Sequence, residues 1–243
     1  MSELRTLPRE ETSEKTIGEF VAEDYRTAAV FEKYGIDFCC GGKVSLSAAC
    51  EEKGLDQEGI LREIAAVKSE KAGKDQDFTA WDLARLAGYI VETHHRYLWA
   101  NTEQIAAYAQ KIADVHGANH PEVIEIAAIF KRIAEALTSH LQDEEELFFP
   151  AVKRLEAAKK AGTAPTVADR NTIAKALRNL DREHEEVGDA IHEIRRLAGD
   201  YAIPEDVCNT FVVTYRKLKE FEDDLHKHVH LENNILFPKA QRL

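Results

Sequence analysis

Four long stretches of this chain place an apolar residue every three or four positions, and each interrupts that stripe with a histidine. The first reads Leu83, Ala87, Ile90, His94, Tyr97, Asn101, Ile105, Tyr108. The second reads Ile126, Phe130, Ile133, Leu137, His140, Glu144, Phe148, Val152. The third reads Ile173, Leu177, Leu180, His184, Val187, Ile191, Ile194, and the fourth Val207, Phe211, Thr214, Leu218, Phe221, Leu225, His228, Glu232, Ile235. Steps of three and four residues are the signature of a helix with one buried face. They predict four long helices over about 79–115, 121–159, 167–199 and 204–240. The breaks carry turn chemistry: Gly117 before Pro121, Gly162 before Pro165, and Gly199 before Pro204. Only 12 Gly and 6 Pro occur in 243 residues, too few for a loop-rich fold. Long helices on short connections predict an all-α fold, an antiparallel four-helix bundle over 79–243.

Upstream, residues 1–15 read as a flexible tail and 16–70 as a small helical domain. Thr16 opens a short amphipathic helix, a second ends near Gly35, and Ser45 or Ser47 caps a third. The polar run 71–78 reads as a linker. Between the second and third helices stands Asp37-Phe38-Cys39-Cys40-Gly41-Gly42-Lys43. Backbone N–H groups and Lys43 are expected to favour thiolate at Cys39 and Cys40. Gly41 and Gly42 are expected to let another molecule approach closely. Cys50 and Cys208 read as structural, and four cysteines in a chain this long do not make a disulfide framework.

The histidines carry the chemistry. An ionised carboxylate buried without a partner is very costly, yet Glu144 and Glu232 fall on inward faces one turn after His140 and His228. With His94 and His184 they form six donors converging on one core, and a metal centre is the simplest reason for them. His140-x-x-x-Glu144-x-x-Leu147-Phe148-Phe149-Pro150 repeats 88 residues later as His228-x-x-x-Glu232-x-x-Ile235-Leu236-Phe237-Pro238, and His184 follows His94 by 90. Two related helix pairs would set two metals side by side, with two histidines each and bridging glutamates. An oxo or hydroxo bridge would supply a further donor. Such a field favours iron or manganese, and imidazole also suits zinc. The competing expectation is a buried histidine–carboxylate network that holds the helices in register. His95 is expected to point about 100° away from His94. Glu145 and Glu146 read as solvated charge; Glu183 and Glu185 do too, with tuning of access or hydrogen bonds to a ligand as the alternative, and His192 reads as surface packing, with a place along the channel as the alternative.

Composition narrows the partners. Asp and Glu outnumber Lys and Arg by 44 to 32, for a net charge of −12. That disfavours nucleic acid and anionic membrane surfaces. No apolar run is long enough to span a bilayer, and Met1 to Lys15 lacks a secretory h-region. A cytoplasmic protein is the expectation.

The two H-x-x-x-E motifs resemble those of hemerythrin-like bundles. Together with Phe38-Cys39-Cys40-Gly41-Gly42-Lys43, Arg182-Glu183-His184-Glu185-Glu186 and Leu231-Glu232-Asn233-Asn234-Ile235-Leu236-Phe237-Pro238, they resemble the repair-of-iron-centres family of di-iron proteins over about 16–240. The resemblance implies repair of iron–sulfur clusters damaged by nitric oxide or peroxide, by iron donation in one version. It implies two iron ions held by His94, His140, Glu144, His184, His228 and Glu232, with Glu144 and Glu232 bridging. Manganese and zinc rank behind iron. It places a redox, nitrosyl or iron-handling role on Cys39 and Cys40. The implied partners are damaged iron–sulfur proteins and NO, O2 or peroxide, and a homodimer stays open. Whether the chain is an enzyme also stays open. The alternatives are a nitric oxide reductase or peroxide-processing di-iron enzyme, and a reversible NO or O2 binding or sensing module.

Overall fold

The computed structural model describes residues 14–69, 77–164 and 166–243. Most of the expected tail (1–13), residue 70 of the small helical domain, most of the expected linker (71–76) and Pro165 of the second break lie outside the described residues. The described residues are helical, apart from turns and one isolated antiparallel bridge between Thr16 and Ser45. Among them no helix is long and apolar enough to cross a membrane.

Two compact units result. One comprises the described residues through Trp81 together with Val229–Pro238, and the other Asp82–His228 with Lys239–Leu243. The sequence reading assigned 229–238 wholly to the bundle. In the structure these residues make their contacts mainly with the N-terminal helices.

In the first unit α1 (Ile17–Glu23) starts at a capping box. The Thr16 hydroxyl accepts from the Glu19 N–H at 3.2 Å, while the Glu19 carboxylate accepts from the Thr16 N–H at 2.8 Å. Such a cap stabilises by about 1 kcal/mol. Helix α2 (Ala28–Lys33) is followed by Gly35 at φ +62°. Helix α3 (Leu46–Lys53) begins at Ser45, whose hydroxyl accepts from Ala48 N–H, and α4 (Gln57–Ser69) completes the set. Their apolar faces meet in a core of Phe20, Phe31, Phe38, Leu46 and Ile60, all buried. Each such side chain contributes roughly 1.5–3 kcal/mol of transfer energy.

The four expected rods are present, three of them in the second unit and the fourth running through both. The first is α5 (Leu83–Ile90), a π turn (Val91–His95) and α6 (Arg96–His116). The second is α7 (Glu122–Asp143), a π turn (Glu144–Phe148) and α8 (Phe149–Ala161). The third is α9 (Val167–Leu197), without interruption. The fourth runs from α10 (Asn209–Leu231) through a π turn (Glu232–Leu236) to α11 (Phe237–Gln241). It starts at Asn209 rather than near Pro204, so Val207 stands outside the stripe that the sequence assigned to it. Phe130 and Phe221 meet edge-to-face with centroids 5.0 Å apart, joining the second rod to the fourth. The buried Glu156 carboxylate accepts from the backbone N–H of Leu83 (2.8 Å) and Ala84 (3.1 Å), satisfying the start of α5.

The π turns set the register of the site. In an α-helix residue 94 would continue the stripe after Ile90. A π turn inserts one extra residue, so the face resumes one position later. The buried residues run Ile90, His94 and His95 together, then Leu98, Ile105, Ala109 and Ile112, so the face beyond the turn continues from His95, whereas Tyr97 and Asn101 of the expected stripe are only half-buried.

Candidate metal centre

Two groups of donors converge in the bundle. His95, Glu144, His228 and Glu232 form one, and His140, Glu144, His184 and Glu232 the other. Within each group the ligand atoms lie within 4.8 Å of one another, and all six residues are buried. Glu144 and Glu232 belong to both. Glu232 follows His228 by four residues on the same continuous rod. Five of the six residues are those expected from the sequence. The sixth is His95, not His94.

The replacement follows from the π turn at Val91–His95. His95 Nε2 stands 3.3 Å from Glu144 Oε2. His94 is also buried, but its Nδ1 pairs with Asp224 Oδ1 at 2.9 Å and its ring stacks on that of His228 at 5.8 Å. It lies beside the donor groups and in neither.

The donors suit a cation. Metal–nitrogen bonds of roughly 2.1 Å at near-right angles put neighbouring donors about 3 Å apart. Here His140 Nε2 is 3.2 Å from His184 Nε2 and 3.4 Å from Glu144 Oε2. Glu144 is fully buried, and neither of its oxygens accepts a hydrogen bond of normal geometry; His95 Nε2 likewise makes none. A carboxylate in that state is very costly unless a cation completes it. Burial pushes Glu144 up, yet the neighbouring charges of His140, His95 and His184 outweigh it and hold the carboxyl below its ordinary value. Burial, with the neighbouring histidine rings a smaller cause, pushes His228 well below the usual imidazole range. It is therefore neutral at neutral pH, the form that coordinates.

Outer carboxylates orient the rings. His140 Nδ1 pairs with Glu183 Oε2 at 2.9 Å, and His95 Nδ1 with Glu145 Oε1 at 2.9 Å. Each bond turns Nε2 toward Glu144, the ring atom left to hold a cation. Glu145 also accepts from the Trp99 indole at 3.2 Å. The sequence reading took Glu145 for solvated charge and preferred the same for Glu183 over a hydrogen bond to a ligand. Their adjacency to Glu144 and His184 was the available signal. A surface cavity of about 440 Å³, lined by His95, Trp99, Arg96, Glu92 and Glu145 among others, opens beside this ring.

Comparison with known proteins agrees with this geometry. Residues 13–68 match ScdA_N, a domain of unknown function (DUF542), and residues 87–240 match the hemerythrin HHE cation-binding domain. The iron-sulfur cluster repair protein ScdA of Staphylococcus haemolyticus (strain JCSC1435) is 30% identical over 228 residues, covering 94% of this chain and 98% of its own length. The chain belongs to this iron–sulfur cluster repair family. YtfE of Yersinia pestis (strain Pestoides F), also an iron-sulfur cluster repair protein, is 30% identical over 217 residues, 89% of this chain and 92% of its own. A probable iron-sulfur cluster repair protein of Haemophilus influenzae (strain ATCC 51907 / DSM 11121 / KW20 / Rd) is 30% identical over 212 residues, 87% and 89% respectively.

Within the ScdA_N domain the cysteine loop differs from expectation. The backbone N–H groups of Cys39 (2.8 Å), Cys40 (3.1 Å) and Gly41 (3.0 Å) donate to the Asp37 carboxylate, not to sulfur. Cys39 Sγ lies 3.1 Å from Asp37 Oδ1 and 3.9 Å from Cys40 Sγ. The Cys40 thiol, burial and the Asp37 charge push Cys39 well above the ordinary thiol range, so it is held as thiol rather than thiolate. The glycines admit a residue of this same chain. A Cβ on Gly42 would stand 2.5 Å from Asn234 Oδ1, and one on Gly18 2.1 Å from it. Asn234 Nδ2 donates to Phe38 O at 3.1 Å and Asn233 Nδ2 to Cys39 O at 3.4 Å, fixing the loop within the first unit.

Cys208 is the reactive thiol by geometry. It is exposed and precedes α10, where Val212 N–H donates to its carbonyl at 3.2 Å, and its Sγ lies 3.1 Å from His116 Nε2. Its bond to His116 and the N–H groups at the helix start bring its pKa down to about 7. Half of it is therefore thiolate near pH 7, and the fraction falls as pH drops. Timed iodoacetamide labelling at pH 7 with peptide mapping is expected to modify Cys208 first and Cys39 last. His116→Asn should slow Cys208 several-fold, and equal rates at Cys39 and Cys208 contradict this assignment.

Proposed function

We propose that this chain repairs damaged iron–sulfur clusters by means of a di-iron centre in the bundle. The observation that carries the reading is that Glu144 and Glu232 each belong to both donor groups. Glu144 and Glu232 would each serve both ions, with His95 and His228 completing one donor set and His140 and His184 the other. When bound, the iron pair supplies exchangeable ferrous iron and a redox couple.

The chain's own residues do the rest. Glu145 and Glu183 hold His95 and His140 with their Nε2 lone pairs inward. Buried neighbours such as Phe148 and Phe149 limit water around the donors. The cavity beside His95 offers small ligands such as NO, O2 or peroxide an approach to that side. Asp37, Cys39 and Cys40 bring their ligand atoms within 4.8 Å of one another, and Cys40 is half-buried rather than sealed. This supports assigning iron or nitrosyl handling to the thiol pair. Damaged iron–sulfur proteins are the partner, and the relatives' names support that choice.

The test uses a purified [4Fe–4S] dehydratase inactivated with nitric oxide. Iron-loaded chain is expected to restore its activity, and metal-free chain is not, with the iron lost by the chain measured alongside. Restoration by both forms, or by neither, rejects the proposal. Nitrous oxide accumulating over many turnovers would instead favour the reductase.

A further inference from the structure

A third donor group lies in the bundle apart from the paired centre. His192, Glu222 and His226 bring their ligand atoms within 4.8 Å of one another. His192 comes from α9, eight residues or about 12 Å of helix beyond His184. Glu222 and His226 stand at i and i+4 on α10, on one face and one turn apart.

Its setting is unlike that of an ordinary surface cluster. The Glu222 side chain is 0% exposed and His226 is buried, while His192 is exposed. Arg195 Nε, on a partly exposed guanidinium, lies 2.9 Å from Glu222 Oε1. Neither Glu222 oxygen accepts a hydrogen bond of normal geometry. The His192 and His226 rings sit 5.7 Å apart, centroid to centroid, and His226 Nε2 is 3.7 Å from Glu222 Oε1. The loop before α10 adds Tyr201. It takes φ +60°, a strained conformation for a bulky residue, and burial first, then the Glu222 charge, raises its hydroxyl pKa.

We propose that His192, Glu222 and His226 form a second, mononuclear site for a divalent first-row transition ion such as Fe2+ or Zn2+. Two imidazoles and one carboxylate on adjacent helices give a three-donor set with open positions. The exposed His192 leaves one side accessible, so the ion exchanges with solvent. Arg195 balances Glu222 in the ion's absence and shares the carboxylate in its presence. The site stands independently of the paired centre, since the two share no residue.

Anaerobic titration of the metal-stripped full chain with Co2+ tests this, read by visible absorption and by bound cobalt after equilibrium dialysis. Wild type is expected to bind one more Co2+ per chain than His192→Ala, or to bind it at least about tenfold more tightly. Glu222→Gln should behave like His192→Ala, and the surface position of His192 keeps the test valid if the Glu222 variant misfolds. His95→Ala should leave this ion bound. Equal stoichiometry and affinity in wild type and His192→Ala overturn the proposal, leaving Glu222 and Arg195 a buried ion pair only. An unaltered His95→Ala would count against the paired centre and not against this site.

Discussion

His95→Ala is expected to lose one iron of the pair, whereas His94→Ala keeps both. The two residues are neighbours, both are buried, and their substitutions remove the same atoms. Only His95 belongs to a donor group, with its Nε2 at 3.3 Å from the shared Glu144. Loss of a direct ligand should weaken that ion beyond the roughly 10–100-fold typical of an outer partner. His94 pairs with Asp224 and stacks on His228. Its loss opens a cavity and should cost about 1–3 kcal/mol of stability. Iron content after dialysis against a weak chelator, beside thermal denaturation, separates the two effects. The reverse pattern, with iron lost from His94→Ala and retained in His95→Ala, would mean that the first rod continues as regular α-helix through the site.

That comparison locates the limit of what the residues disclose. The rods, their histidines and the glycine stops follow from local rules. Gly35, Gly54 and Gly162 adopt positive φ at helix ends, where side chains are disfavoured. The choice between His94 and His95 is not local. It depends on a π turn, whose poorer hydrogen bonding is sustained by the groups packed around it. One trace was present: His184 follows His95 by 89 residues and His94 by 90, against 88 between the two H-x-x-x-E motifs.

Contacts between distant segments were equally hidden. Glu183 reaching His140, or Asn234 filling the space over Gly18 and Gly42, depends on which helices become neighbours. The Cys39 environment was the exception. Aspartate two residues before a cysteine readily turns back to accept backbone N–H groups, and Asp37 does so. An expectation built on Lys43 and the glycines overlooked the negative charge already supplied by the loop.

Glu144→Leu is expected to abolish iron loading and cluster repair while making the metal-free protein more stable. The proposed centre needs the carboxylate because it is common to both donor groups, so its loss would remove a donor from each. Stability is governed by a different balance. Without an ion, Glu144 is a fully buried carboxylate surrounded by imidazoles, with no normal hydrogen bond on either oxygen. Apolar replacement of such buried charge is often neutral or stabilising by about 1–4 kcal/mol. His140 retains Glu183 at 2.9 Å, so its ring keeps a carboxylate partner when Glu144 is lost. In iron-loaded protein the order reverses, because an ion that binds only the folded state adds its binding energy to stability. Calorimetry of metal-free and iron-loaded wild type beside Glu144→Leu, with iron content and repair measured on the same samples, tests both halves. A structural histidine–carboxylate network makes the opposite prediction. Removing its central carboxylate would destabilise the metal-free fold by several kcal/mol, and iron would change neither variant.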